Sequence, residues 1–188
     1  MENPYLTAGL PGTGGRIKVE HTDFRVEEIP LYEPSGSGQH TYARIEKEGM
    51  TTFQAVDRIA RALHIDRRAI GYAGLKDAHA VTVQTVSLGD VDPAAVRALD
   101  LPGIRVLEVS RHTNKLRTGH LAGNRFTVRV CDVPEGAQAA AQAILEVLHR
   151  RGVPNYFGAQ RFGLRGDTHL LGKELVHQDG AAFVRRLA

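Results

Sequence analysis

Asp77 stands in Gly74-Leu75-Lys76-Asp77, between two apolar and β-branched runs at residues 70–75 and 80–88. A carboxylate in a short loop flanked in this way is partly desolvated and fixed in direction, which suits a catalytic group. Lys76 supplies a neighbouring positive charge that favours the ionised form of an acid, and Gly74 lets the backbone approach a ligand closely or take a positive φ. His79, two residues further on, has the chemistry of a proton carrier, although a structural role is the plainer reading. Taken alone, a Lys-Asp pair is more often a surface turn, because Asp is a common turn former. The rest of the sequence has to decide.

The basic residues are unevenly placed. Arg111, Lys115, Arg117, Arg125 and Arg129 follow one another without an intervening carboxylate, and so do Arg150, Arg151, Arg161 and Arg165. Net charge is only +3, but clustering matters more than the total for a polyanion partner, because each neutralised phosphate releases counterions. The second basic stretch also holds Tyr156, Phe157 and Phe162 among glycines.

Several function classes are disfavoured. No apolar run reaches the roughly 20 residues of a membrane span, and the first residues do not form a signal-peptide n-region, so a cytoplasmic protein is expected. The single Cys131 cannot form an internal disulfide or a thiolate zinc site, and His112 and His120 have no further ligand at metal spacing, so no metal is expected. Gly12-Thr13-Gly14-Gly15 lacks both a preceding apolar strand and the Gly-Lys-Ser/Thr ending of a phosphate loop. No nucleotide cofactor is expected.

The elements that must position these residues read as an α+β domain. Alternation predicts strands over residues 17–20, 24–29, 41–46, 104–109 and 125–130, and the apolar runs on either side of residues 76–79 make two more. Phe53, Val56, Ile59, Ala60 and Leu63 recur at helical spacing behind Thr51 or Thr52, and Asp66 caps a further turn. Short helical stretches are predicted over 93–99, 168–176 and 179–188, and a long one over 137–150. Strands and helices in mixed order point to a mixed or antiparallel sheet with flanking helices, rather than a doubly wound parallel sheet.

The run from Gly71 to Gln84, Gly-Tyr-Ala-Gly-Leu-Lys-Asp-Ala-His-Ala-Val-Thr-Val-Gln, resembles the signature of the TruD family of pseudouridine synthases. Three further stretches agree in order and spacing. They are Phe24 to Pro30, then Asn114 to Arg117 with Gly123 to Phe126, and last Gly152 to Gly163. Together they cover nearly the whole chain, with Ala78 a departure where the family carries a bulkier, often basic, residue.

This resemblance implies a pseudouridine synthase-like catalytic domain that isomerises a uridine of tRNA, usually at position 13, without cofactor or metal. It makes Asp77 the catalytic carboxylate, Phe126 the aromatic that stacks on the flipped base, and Lys18, Phe24, Lys76 and Asn124 the residues that line the pocket. Asn124, on the same side of its strand as Phe126, would bond the uracil edge or orient Asp77. Lys115, Arg117, Arg125 and Arg161 become candidate phosphate contacts, which position an RNA without specifying its sequence.

The chain resembles only the N-terminal half of such a protein. Residues 1–166 are expected to form part of the catalytic domain, incomplete at its C-terminal side, and residues 167–188 the start of a separate inserted domain. The rival reading is a catalytically silent RNA-binding fragment that keeps the basic stretches but not a closed pocket.

Overall fold

The structure is a computed structural model that describes residues 5–156, 158–163 and 165–187, so Phe157 of the aromatic loop lies outside the described residues. The chain divides into two compact units, residues 14–135 and residues 1–13 with 136–188.

The larger unit is a six-stranded mixed sheet. Its strands are β1 (Phe24–Pro30), β2 (His40–Glu48), β3 (Ile70–Tyr72), β4 (Val81–Gly89), β5 (Ile104–His112) and β6 (Leu121–Val128). The order is β5-β2-β4-β1-β6, and β3 pairs with the far end of β4. Only β1 and β4 run parallel; every other pairing is antiparallel. The α+β expectation therefore holds.

Helix α1 (Thr52–Ala62) starts where Thr51 Oγ1 accepts from the Gln54 N–H while the Gln54 side chain reaches back to the Thr51 N–H, a reciprocal cap. Its Val56 and Ile59, each 1% exposed, pack on Ala43, Ile45, Val86 and Leu88. Burying each such side chain contributes about 1.5–3 kcal/mol. Asp66 caps the turn Arg67–Ala69 as expected, and Asp92 caps the short α2 (Pro93–Arg97).

Residues 17–20 are not a strand. Lys18 has φ 58°, a left-handed conformation that breaks an extended run, and Ile17 and Val19 remain largely exposed. The strand expected over 70–75 stops at Tyr72, and β6 begins at Leu121, four residues before the alternation that suggested it. Gly123 within β6 carries no side chain and so weakens the period.

The smaller unit holds α3 (Ala137–Arg151), a 3-10 turn at Ala159–Phe162, α4 (Thr168–Val176) and α5 (Gly180–Leu187). Thr168 Oγ1 donates to the Phe162 carbonyl at 2.7 Å, and Arg165 donates to the Arg186 carbonyl at 2.8 Å. Leu145 on the apolar face of α3 is 64% exposed.

Candidate active site

Parallel pairing of β1 with β4, in the register Arg25 to Val81, brings the chain segments that enter the two strands to one end of the sheet. Antiparallel pairing of β6 with β1, Phe24 opposite Val128, brings the end of β6 to the same place. Lys18 and Phe24 arrive on one entry, Asp77 and His79 on the other, and Phe126 on the departing strand. Long-range topology, not local spacing, assembles the group.

Contacts run continuously through it. Lys18 Nζ lies 2.9 Å from Asp77 Oδ1 and 4.0 Å from the centroid of the Phe24 ring. The Phe24 and Phe126 rings meet edge to face with centroids 6.0 Å apart, and Phe126 is 56% exposed. His79 Nε2 sits 2.9 Å from the Lys18 carbonyl oxygen, and its ring meets that of His21 at 4.6 Å. The Asp77 side chain is 44% exposed, so burial within these residues does not shield it from water.

The turn that carries Asp77 is gripped from below by the corner between β2 and α1. Thr52 Oγ1 accepts from the Lys76 N–H at 3.0 Å, Lys47 Nζ donates to the Asp77 carbonyl at 2.9 Å, and the Gly49 N–H donates to the Ala80 carbonyl at 3.3 Å. Lys47 also donates to the Met50 carbonyl at 2.6 Å and is fully buried. Burial pulls its ammonium down to about 8, opposed by the charge of Asp77 and assisted by that of Lys76.

Lys76 turns away from its neighbour's carboxylate. Its ammonium lies 2.8 Å from Glu28 Oε2, and both side chains are 3% exposed. The pairing of β1 with β4 extends only to Glu27 and Val83, and Glu28 fills the gap beyond by accepting from the Thr85 N–H at 3.1 Å. A cavity of about 360 Å³ opens beside this gap, with Glu28, Tyr32, Tyr42 and Gln84 among its walls and Asp77 not among them. Burial, helped by the hydrogen bond with Tyr32, pushes the Tyr42 hydroxyl pKa well above its usual range.

Asn124 and Phe126 lie on one face of β6, opposite Glu28 and Val26. Arg125 therefore points to the other face, where it lies 3.7 Å from Glu27 in a ladder that also joins Arg25 and Arg105 to Glu46. Asn124 is exposed beside the buried Glu28.

The loop at residues 113–120 brings Lys115 and Arg117 near the motif. Its Gly119 N–H donates to the Ala73 carbonyl at 2.8 Å, its Leu116 N–H to Ser87 Oγ at 2.9 Å, and Tyr42 Oη donates to the Asn114 carbonyl at 2.9 Å. Arg117 is exposed, whereas Lys115 donates to the Arg68 carbonyl. Gly74 does not take the positive φ offered as one reason for a glycine there, whereas Gly71 is required by close packing: a Cβ at Gly71 would sit 2.2 Å from the Leu116 carbonyl oxygen, and one at Gly74 would lie 3.7 Å from its nearest neighbour. Arg161 belongs to the smaller unit, on the turn Ala159–Phe162.

Sequence reasoning assigned no role to Lys47 or Glu28, and to Thr52 only that of an alternative helix cap. Lys47 had one legible signal: continuing the strand one residue past Glu46 puts it on the same side as Ala43 and Ile45, where an apolar residue belongs. Among the described residues no helix is long and apolar enough to cross a membrane, and no cluster of three or more His, Cys, Asp or Glu is placed to hold a metal ion.

A family model described as tRNA pseudouridine synthase D (TruD) matches residues 1–188. A tRNA pseudouridine synthase D of Geobacter metallireducens is 59% identical over 183 residues, covering 97% of this chain and 45% of that protein. A second, from a Geobacter species (strain M21), is 53% identical over 183 residues, covering 97% of the chain and 46% of that protein. The crystal structure of a Methanosarcina mazei protein assigned to tRNA pseudouridine synthase D superposes with a TM-score of 0.84 at 32% identity, covering 94% of this chain and 41% of that one. The chain thus spans about half the length of the curated relatives it matches.

Proposed function

The chain belongs to the tRNA pseudouridine synthase D (TruD) family, and from that premise we propose that the protein isomerises a uridine of tRNA, at position 13, to pseudouridine. The observation that carries the site assignment is the unbroken path of contacts from Asp77 through Lys18 and Phe24 to the exposed ring of Phe126. It links a carboxylate, a cation and an open aromatic face through successive contacts of 2.9, 4.0 and 6.0 Å.

In the reaction the bond from uracil N1 to the ribose C1′ breaks, the base turns over, and C5 bonds to C1′. C5 loses its proton and N1 gains one, so atoms balance without cofactor or metal. Asp77 acts on the sugar, either by adding to it or by first removing a proton. Phe126, with Phe24 behind it, offers a face for the everted base, whose unstacking costs a few kcal/mol. Asn124 is the candidate for the uracil edge, and Lys18 offsets the carboxylate's charge and fixes its direction.

Lys115, Arg117, Arg125 and Arg161 remain the proposed phosphate contacts, with shape and the single target base supplying selectivity. Contact by Arg125 requires the RNA to reach the opposite face of the sheet from Phe126. Lys76 serves the site through Glu28 rather than by touching the base. In the same reading residues 1–166 belong to the catalytic domain and 167–188 begin an inserted one.

The exposure of the Asp77 side chain favours one rival, an RNA-binding chain without catalysis. Incubation with an unmodified tRNA transcript, followed by carbodiimide labelling and primer extension, separates the two. A pseudouridine-specific stop at position 13 is expected. Binding of the transcript with no such stop anywhere assigns the silent role.

A further inference from the structure

Lys47 has no place in the chemistry just described, yet it is a fully buried lysine whose ammonium touches the backbone of the reacting residue. Burying an ammonium is unfavourable, and two carbonyl acceptors recover only part of its lost hydration. An apolar side chain of similar length would fill the same buried space beside Thr82 and Ile104, its register partners, at less cost. The charge therefore calls for a role outside the core.

We propose that Lys47 is a positioning residue of the active site: its ammonium, bonded to the carbonyls of Met50 and Asp77, holds the Asp77 turn and sets a positive charge behind the carboxylate. This rests on the reading of Asp77 as the catalytic group. The geometry supports it independently of charge, because Lys47 and Thr52 hold backbone groups of adjacent residues of that turn, the Asp77 carbonyl and the Lys76 N–H.

The charged groups around Lys47 are few. Asp77 and Lys76 face it from the turn; behind them, Glu28 is bound to Lys76 and Lys18 to Asp77. Its register partners on β4 and β5 are Thr82 and Ile104, and Thr52 begins α1; none of these titrates. A neutral amine still has donors for both carbonyls, so what disappears above pH 8 is the charge and not the tie.

The test is the single-turnover rate of pseudouridine formation by the protein as encoded, followed from about pH 6 to about pH 10 with tRNA affinity measured at each point. The wild-type rate is expected to fall as pH passes about 8, with affinity unchanged. Folding stability rises over the same interval, because a buried amine favours the fold once it is neutral, so unfolding cannot produce the fall.

Lys47→Met is expected to be slower by roughly 10- to 100-fold at neutral pH and to lack that alkaline fall. Lys47→Arg, whose charge persists, is expected to keep more of the rate and also to lack the fall. A wild-type rate that stays flat, or an alkaline fall that persists in both variants, overturns the proposal. Should Lys47→Met not fold, the wild-type and Lys47→Arg profiles decide in the same way. Absence of product from the wild-type protein at every pH instead refutes the synthase reading itself, and the role of Lys47 with it.

Discussion

His79 Nε2 lies 2.9 Å from the carbonyl oxygen of Lys18, the residue whose own ammonium is 2.9 Å from Asp77 Oδ1. The two entry segments are thus tied twice, once through a side chain and once through a backbone oxygen. The second tie matters because Lys18 sits at φ 58°, a conformation that costs a non-glycine residue of order 1 kcal/mol and persists only when its surroundings impose it.

Removing either tie should slow the reaction without unfolding the protein. Lys18→Ala is expected to lower the single-turnover rate about 100-fold, since small misplacements of a reacting group have effects of that size. The ion pair is partly exposed, so its loss should change stability by less than about 1 kcal/mol. His79→Ala should give a milder loss, about 10-fold, with His79→Gln recovering most of it by retaining a donor. Equal rates for wild type and His79→Ala would remove His79 from the site.

The buried pair of Lys76 and Glu28 is expected to behave in the opposite manner. Replacing one partner leaves an unpaired charge in the interior, a loss of about 3–5 kcal/mol. Lys76→Met and Glu28→Gln should therefore each lower the midpoint of urea unfolding by far more than Lys18→Ala does. Glu28→Gln retains an acceptor for the Thr85 N–H and should be the milder of the two. If Lys76→Met unfolds at the wild-type midpoint, the pair is not a stabilising feature of the protein.

Stability should depend on pH through Lys47. Its pKa in the fold, about 8, lies below the usual 10.5. Below pH 8 both folded and unfolded chains carry the proton, and the folded one bears the full penalty. Above pH 10.5 neither does. Between these limits the unfolded chain binds more proton, so stability rises with pH, by about 3 kcal/mol in all at 1.36 kcal/mol per unit. The stability difference between Lys47→Met and wild type, followed by urea unfolding from pH 7 to 10.5, isolates this contribution and should shift by that amount in favour of the wild type. A difference that is constant with pH would contradict it.

Much of the fold was legible in the sequence. Helix α1 announced itself by Val56 and Ile59 at helical spacing behind a Thr cap, and Asp66 stood where a short turn needed a cap. Period-2 alternation found β1, β2 and β5 to within a few residues, because each has one face on the core. Residues 17–20 misled, since the same alternation occurs on a segment whose apolar side chains are exposed and whose backbone turns left-handed at Lys18.

The site was less legible than the fold. Asp77 could be singled out from its flanks, but its encounter with Lys18 and Phe24 follows from β1 lying parallel to β4, a pairing between segments more than fifty residues apart that no local pattern encodes. The direction of Lys76 was equally hidden. It depends on the gap between β1 and β4 that admits Glu28, and sequence proximity to Asp77 suggested a different partner. Strand parity did carry information about Arg125, because alternate residues of β6 must face opposite ways once Phe126 is assigned to the site.

The account stands most directly on Asp77→Asn, measured for tRNA binding and for pseudouridine formation in the same preparation. The amide keeps the size and shape of the side chain but can neither add to the sugar nor act as a base. Binding close to wild type with no detectable product is the expected result, whereas pseudouridine formed at the wild-type rate would place the chemistry elsewhere in the molecule.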